Sequence, residues 1–123
     1  MANPAEGDFR QSGQDDNALA NYNPATNGLT EYTASNFDGA LQGVLLLAAF
    51  NGNIYQVELS ADGKVATNCP TPPQNGTGTV SSCTSSFASG FGSQPLDVIA
   101  QGDNDPFPGT VWAVTYGAEN ITI

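Results

Sequence analysis

The sequence contains no histidine and almost no positive charge. Its 123 residues include one arginine, Arg10, and one lysine, Lys64, against twelve acidic residues, which gives a net charge of -10. Without histidine, a Ser-His-Asp triad, an imidazole proton shuttle and a histidine-ligated metal are excluded. Two cations cannot neutralise a row of phosphates, so we expect no nucleic-acid partner. The composition thus disfavours an enzyme, and calcium is the only cofactor for which candidate ligands exist.

Long apolar runs and cysteines are also scarce. No run approaches the roughly 20 residues of a membrane-spanning helix, and the first residues lack the basic and apolar regions of a signal peptide. Cys69 and Cys83 flank a polar loop. A disulfide closing this loop of about 15 residues would stabilise the fold by on the order of 3 kcal/mol. It predicts an oxidising, secreted or extracellular location, whereas two free thiols would indicate a reducing compartment.

Residues that favour turns and strands make up much of the rest. Asparagine, serine, threonine and glycine are abundant, and these favour turns and strands over helices. We therefore predict an all-β protein of antiparallel strands. Residues 1–28 are predicted to form an irregular N-terminal arm. Residues 29–93 form a first β repeat with the disulfide-closed loop, and residues 94–123 form a second, truncated repeat.

The first repeat is predicted to contain successive strands joined by tight turns. Residues 29–34 alternate between polar and apolar side chains, which is typical of a strand. Residues 44–50 are continuously apolar, which fits a strand buried on both faces. The Asn51-Gly52 pair predicts a two-residue hairpin turn with positive φ at both positions. Residues 53–59 alternate again, and residues 85–91 are predicted to return as the outer strand.

The two repeats align with each other. A shift of 66 positions places residues 29–50 on residues 95–116 without a gap. The aligned pairs include Gly43 with Gly109, Glu31 with Asp97 and, after one inserted residue, Asn53 with Asn120.

Repeats of three or four antiparallel strands are typical of propellers, solenoids and sandwiches of hairpins. We favour four-stranded propeller-like blades, about one and a half to two of them, because stacked blades cover their middle strands on both faces. An immunoglobulin-like sandwich is the alternative.

Four segments resemble secreted bacterial six-bladed β-propellers of the glucose/sorbosone dehydrogenase-like and NHL types: residues 27–37, 45–55, 94–109 and 112–123. The resemblance implies an extracellular protein, and some members of that group are quinone-dependent sugar dehydrogenases that use calcium. Those enzymes use a catalytic histidine and basic residues around the quinone. Since this chain lacks both, no catalytic residue is carried over. A six-bladed ring also needs several hundred residues.

Oxygen-bearing side chains suggest two candidate sites. Asp103, Asn104 and Asp105 form a cluster of the oxygen ligands that calcium prefers, although a polar turn is the simpler interpretation. Glu31 and Asp97, aligned in the two repeats, would line a propeller channel and serve acid–base chemistry or ligand binding. Hydrogen bonding at strand ends is the structural alternative.

Aromatic residues of the second repeat are candidates for stacking on sugar rings. Trp112, Tyr116 and Phe107 are the binding candidates, and a place in the core is the alternative for strand residues. Asn75 and Asn120 match the short N-glycosylation sequon, which is frequent by chance.

The truncated second repeat is the basis of the predicted function. An incomplete sheet leaves unpaired strand edges that recruit partners. We therefore predict a non-catalytic, secreted structural or binding module that forms a homo-oligomer or a filament through these edges, with the arm 1–28 as a candidate strand donor. Three two-blade copies would close a six-bladed ring. The alternatives are a fragment of a sugar dehydrogenase-like propeller and a carbohydrate-binding domain.

Overall fold

A computed structural model describes residues 22, 26–63, 66–69, 85–92, 94–117 and 120–123. This part of the chain is all-β, with one short 3₁₀ turn at Phe37–Gly39. Four antiparallel strands form a first sheet in chain order, and three form a second sheet, also in chain order. The first sheet contains β1 (Thr26–Tyr32), β2 (Val44–Ala49), β3 (Asn53–Val57) and β4 (Ser86–Ser89), and the second contains β5 (Gln94–Ala100), β6 (Val111–Tyr116) and β7 (Asn120–Thr122).

The apolar run of the first repeat forms β2, and it is covered on both faces as predicted. Val44 and Leu46 belong to the core cluster on one face of the first sheet. Leu45 and Leu47 pack against a second cluster on the opposite face. A strand that lies between two apolar layers needs no polar side chains, which explains why the run shows no alternation.

The hairpin between β2 and β3 differs from the predicted two-residue turn. Ala49 pairs with Asn53, so the loop contains three residues, Phe50, Asn51 and Gly52. Only Gly52 of these has a positive φ, 82°, and its N–H donates to the carbonyl of Ala49 over 3.2 Å. A three-residue loop that ends in one left-handed glycine is the next most common hairpin connection, and it needs positive φ at the glycine alone.

The two sheets pack face to face, with the core between them. Gly28 on β1 lies directly against β5, where a Cβ atom at this position would come within 2.6 Å of the Cα of Asp97 and 2.8 Å of the nitrogen of Val98. The absence of a side chain thus lets the two backbones approach. The buried members of the core are Tyr32, Ala34, Val44, Leu46, Ala48, Ile54, Val98 and Ala113.

A second, smaller cluster covers the outer face of the first sheet. Val57, Ala66 and Cys69 are buried there, and Leu59 packs against them. Tyr22 completes this cover, because its ring stacks on Tyr55 with centroids 4.9 Å apart. The strands β2 and β3 are therefore covered on both faces, whereas Leu29 of β1 is exposed on the outer face.

The side chain of Tyr22 predicts a pH dependence of stability. Its hydroxyl is buried and has no hydrogen-bond partner among the described residues. Burial, together with the nearby Tyr55, raises the pKa of Tyr22 from 10 to about 12. Because the folded state favours the neutral phenol, the stabilisation is complete below pH 10 and is lost as the pH rises through about 12.

Replacing Tyr22 by phenylalanine should therefore flatten the loss of stability between pH 10 and 12. At pH 7 the variant should be as stable as the parent or slightly more stable, because it removes a buried polar group that lacks a partner. Urea unfolding at pH 7, 10 and 12 measures both effects. Equal slopes for parent and variant above pH 10 would contradict the assigned environment.

The pairings of the two sheets depart from the gapless alignment in the first strand of each sheet. Gly43 and Gly109, both with positive φ, correspond at a shift of 66. The N–H of Gly43 donates to the carbonyl of Tyr32, whereas that of Gly109 donates to the carbonyl of Gln101. Residue 32 therefore corresponds to residue 101, a shift of 69. The single-residue bulges, at Asn27 in β1 and at Leu96 in β5, differ by the same 69 positions.

The predicted equivalence of Glu31 and Asp97 is consequently wrong. The loop that joins the first two strands is three residues shorter in the second repeat, so Asp97 corresponds to Gly28, and Glu31 to Ala100. The predicted one-residue insertion in the turn after the second strand is confirmed. The pairing of β3 with β2 matches that of β7 with β6 when Asn53 is placed on Asn120. The strand β1 also begins at Thr26, inside the segment predicted as the arm.

Candidate binding face

The second sheet has one buried face and one exposed face. Val98 and Ala113 point toward the first sheet and are each 3% exposed. Residues directly opposite each other in neighbouring strands share a face, so Asp97 lies beside Val114, Ile99 beside Trp112, and Val114 beside Ile121. We call this surface the open face, which comprises Asp97, Ile99, Trp112, Val114, Tyr116 and Ile121.

The open face is apolar and shallow. Ile99, Tyr116 and Ile121 are each more than half exposed, and Val114 is 39% exposed. The indole nitrogen of Trp112 donates to the hydroxyl of Thr110 over 2.7 Å, so the polar atom of this side chain is already satisfied. A depression of about 170 Å³ lies over the centre of the face. Apolar side chains that are exposed as one contiguous group are typical of interaction surfaces.

The corresponding face of the first sheet is buried at its centre. Leu46 and Ile54 are each 1% exposed because the second sheet packs on them. The strands of the two sheets correspond at shifts of 69 for β5 on β1, 66 for β6 on β2 and 67 for β7 on β3. The open-face residues Ile99, Trp112, Val114 and Ile121 therefore correspond, in this order, to Thr30, Leu46, Ala48 and Ile54. The two sheets therefore face the same way, and the open face has the orientation of a surface that, in the first sheet, receives another sheet.

The structure brings together two of the three predicted sugar-stacking residues. The rings of Phe107 and Trp112 have centroids 5.5 Å apart at an angle of 45°. Tyr116 shares the open face but lies four residues along the strand from Trp112, roughly 13 Å away. Tyr116 and Phe107 are exposed, and Trp112 is half-buried, so none of the three is fully enclosed in the core.

The acidic loop that was predicted as a calcium site makes structural hydrogen bonds. Asp103 accepts hydrogen bonds from the backbone nitrogen and the hydroxyl of Ser35, at 2.8 and 3.1 Å. Asp105 accepts one from the backbone nitrogen of Gly102 over 2.6 Å, and Asn104 is exposed. Within the described residues, no group of three or more Asp, Glu, Cys or His side chains could hold a metal. The calcium site stays a prediction, and these bonds support the alternative of a polar turn.

The same loop, between β5 and β6, contacts the first sheet and the loop between β1 and β2. The hydroxyl of Tyr32 donates to the carbonyl of Gly109 over 3.1 Å. Burial, and to a lesser extent the nearby carboxylate of Asp103, raises the pKa of Tyr32. A Cβ atom at Gly109 would overlap the side chain of Asn36, so the loops of the two repeats are in direct contact.

The sequence did not predict an apolar cleft between the outer strands of the two sheets. It measures about 340 Å³ and is lined by Phe37, Phe87, Phe91, Val111 and Ile123, among others. Phe37 is 67% exposed and has a φ of 60°, which is uncommon for a residue other than glycine and is typical of a locally constrained loop. No sequence pattern indicated this residue, because the left-handed conformation has no signature in a Phe-Asp pair.

The remaining candidate residues make local hydrogen bonds, are buried, or lie outside the described part of the chain. Asp97 pairs with Val114 of the open face, but its carboxylate lies against Gly28 of β1 and accepts a hydrogen bond from the nitrogen of Val98 over 2.9 Å. Asn120 begins β7, and its side-chain oxygen accepts a hydrogen bond from Thr115 over 2.7 Å. Cys69 is buried, whereas Cys83 and Asn75 lie outside the described residues. The disulfide and both glycosylation sites stay predictions.

Comparison with known proteins assigns no family. No protein-family model, curated protein or solved structure matches the chain. In the described part of the chain, no helix is long and apolar enough to span a membrane.

Proposed function

We propose that the protein is a non-catalytic structural module that self-associates or completes a larger β assembly. The observation that supports this proposal is the open face, because it presents apolar side chains at positions that the first sheet buries. A strand arrangement that is covered in one repeat and uncovered in the next indicates a place for a further layer.

Two further features support the proposal. Each sheet follows chain order, as the strands of propeller blades do, and β2 is covered on both faces. We therefore extend the proposal to blade-like sheets of a secreted protein similar to bacterial β-propellers. The absence of histidine and the scarcity of cations support a binding role over a catalytic one.

Self-association is the measurable consequence. The open face comprises six residues, whereas a stable interface that buries roughly 1,600 Å² in total uses about 20–30 residues on each side. We therefore expect a weak, concentration-dependent association. Sedimentation velocity from about 10 µM to 1 mM, a range chosen for millimolar to micromolar dissociation constants, should show the average mass rising with concentration. A mass equal to 12.7 kDa throughout this range would refute self-association.

The contact between Phe107 and Trp112 favours one second candidate, a carbohydrate-binding surface on the same face. Adding soluble glucan oligosaccharides to the sedimentation experiment tests this carbohydrate-binding candidate. A carbohydrate role predicts that the sugar binds to a monomer and that association is absent, whereas the structural role predicts association with or without the sugar.

A further inference from the structure

We propose that the open face binds the open face of a second copy of this chain, forming a two-fold symmetric dimer that closes on itself. This inference rests on the proposed self-association and names the surface and the partner. It also departs from the expectation of a filament joined by strand edges.

The packing inside the chain supports the choice of surface. Sheet-on-sheet contact between apolar side chains already holds the two sheets together, with Leu46, Ile54, Val98 and Ala113 in one cluster. The open face continues this stack at the next layer, with larger side chains at the positions of Thr30, Leu46 and Ala48. Two twisted sheets with apolar faces pack with their side chains interdigitated about 10 Å apart.

The opposite end of the stack is already covered over β2 and β3, with Leu29 of β1 exposed beside the cover, and this cover determines the partner. Tyr22, Leu59, Ala66 and Cys69 occupy the outer face of the first sheet. A head-to-tail arrangement, with the open face of one copy on that outer face of the next, would have to displace this cover. Two open faces can meet without displacing anything, and their contact uses the same patch on both copies, as a closed dimer requires.

Association through strand edges is less favourable than association through the open face. The two long outer strands, β1 and β5 with seven residues each, lie against each other within the chain. The other two outer strands are short, since β4 has four residues and β7 has three. Short edge strands offer few backbone hydrogen bonds to an added strand and are one way in which proteins avoid edge pairing. The open face, by comparison, presents five large apolar side chains.

Charge favours the same surface. Asp97 is the only charged residue of the open face, although the chain as a whole carries a net charge of -10. Two such chains repel each other at long range, and salt screens this repulsion. Dimerisation through the open face should therefore strengthen as salt is added.

Single substitutions to glutamate distinguish association through the open face from association through other surfaces of the chain. Ile121→Glu places a charge on the open face, and Leu29→Glu is the matched control on the outer face of the first sheet, since Ile121 is 64% and Leu29 61% exposed. Both variants change the net charge equally. Ile99→Glu provides a second open-face variant in case one of them folds poorly, and near-ultraviolet circular dichroism checks the fold of each.

Sedimentation equilibrium of the full chain at low and high salt gives the decisive comparison. The proposal predicts a monomer–dimer equilibrium that strengthens with salt. It also predicts that both open-face variants weaken the equilibrium at least about tenfold, which corresponds to 1.4 kcal/mol, and that Leu29→Glu leaves it unchanged.

Association that is insensitive to both open-face variants would overturn this inference and leave the proposed self-association intact. Species larger than a dimer that Leu29→Glu also weakens would overturn it in favour of head-to-tail stacking. A monomer under all conditions would overturn both the inference and the proposed self-association.

Discussion

Replacing Gly28 by alanine is expected to lower the free energy of unfolding by about 2–3 kcal/mol, near the upper end of the range for overpacked cores. The added Cβ atom would meet the Cα of Asp97 at 2.6 Å and the nitrogen of Val98 at 2.8 Å. Both atoms belong to the backbone of β5, which cannot turn aside as a flexible side chain can. The only relief is to move β1 away from β5, and this movement loosens the core between the sheets.

Gly92→Ala is the matched control for this substitution. Gly92 is exposed, no atom outside its own neighbours lies within 4 Å of a Cβ built on it, and its φ is not in the left-handed region. The control variant should therefore be as stable as the parent, or slightly more stable because alanine restricts the unfolded chain. Urea unfolding monitored by Trp112 fluorescence measures both variants. Equal stabilities would show that the two sheets do not approach closely at Gly28.

The sequence predicted most of the strands, because the features that determine them are local. The uninterrupted apolar run at residues 44–50 indicated a strand covered on both faces, and β2 is such a strand. The return of the chain at residues 85–91 likewise became β4, which pairs with β3. These predictions depended on the spacing of apolar residues and on turn-forming pairs, which the sequence displays directly.

The register between the repeats could not be predicted in the same way. A gapless shift of 66 aligned the strongest signals, Gly43 and Gly109, but β1 and β5 carry few residues that distinguish one register from another. The loop of the second sheet is three residues shorter, and the hydrogen bonds of the two glycines to Tyr32 and Gln101, together with the bulges in β1 and β5, reveal it. An error of three positions exchanges the two faces of a strand, because side chains alternate with a period of two.

This exchange of faces changes the surroundings of the predicted carboxylate site. With the gapless alignment, Asp97 and Glu31 were equivalent and pointed to a shared carboxylate site. With the observed register, Asp97 replaces Gly28, and the side chains beside it on the open face are apolar. The covered or open state of a face is a tertiary property, so no pattern within the second repeat could distinguish Ile121 from a core residue.

Ile54 and Ile121 provide the sharpest measurement of this difference, because they are the same residue type at equivalent positions. Ile54 is 1% exposed between the sheets, and Ile121 is 64% exposed on the open face. Truncating a buried isoleucine to alanine costs about 2–5 kcal/mol, since it removes apolar contacts and leaves a cavity. We therefore expect Ile54→Ala to lose about 3 kcal/mol of stability, and Ile121→Ala to lose no more than about 0.5 kcal/mol in dilute solution.

The concentration dependence of the same two variants links stability to association. If the open face is buried against a second copy, the parent chain should become more stable as its concentration rises, because the partner binds only the folded state. Ile121→Ala should reduce this gain, whereas Ile54→Ala should show the same loss at every concentration at which it remains folded. Thermal unfolding at about 10 µM and 1 mM, which brackets a weak interface, measures both variants. A loss of 2 kcal/mol or more for Ile121→Ala in dilute solution, about the minimum cost of truncating a core isoleucine, would show that the open face is already covered within the single chain.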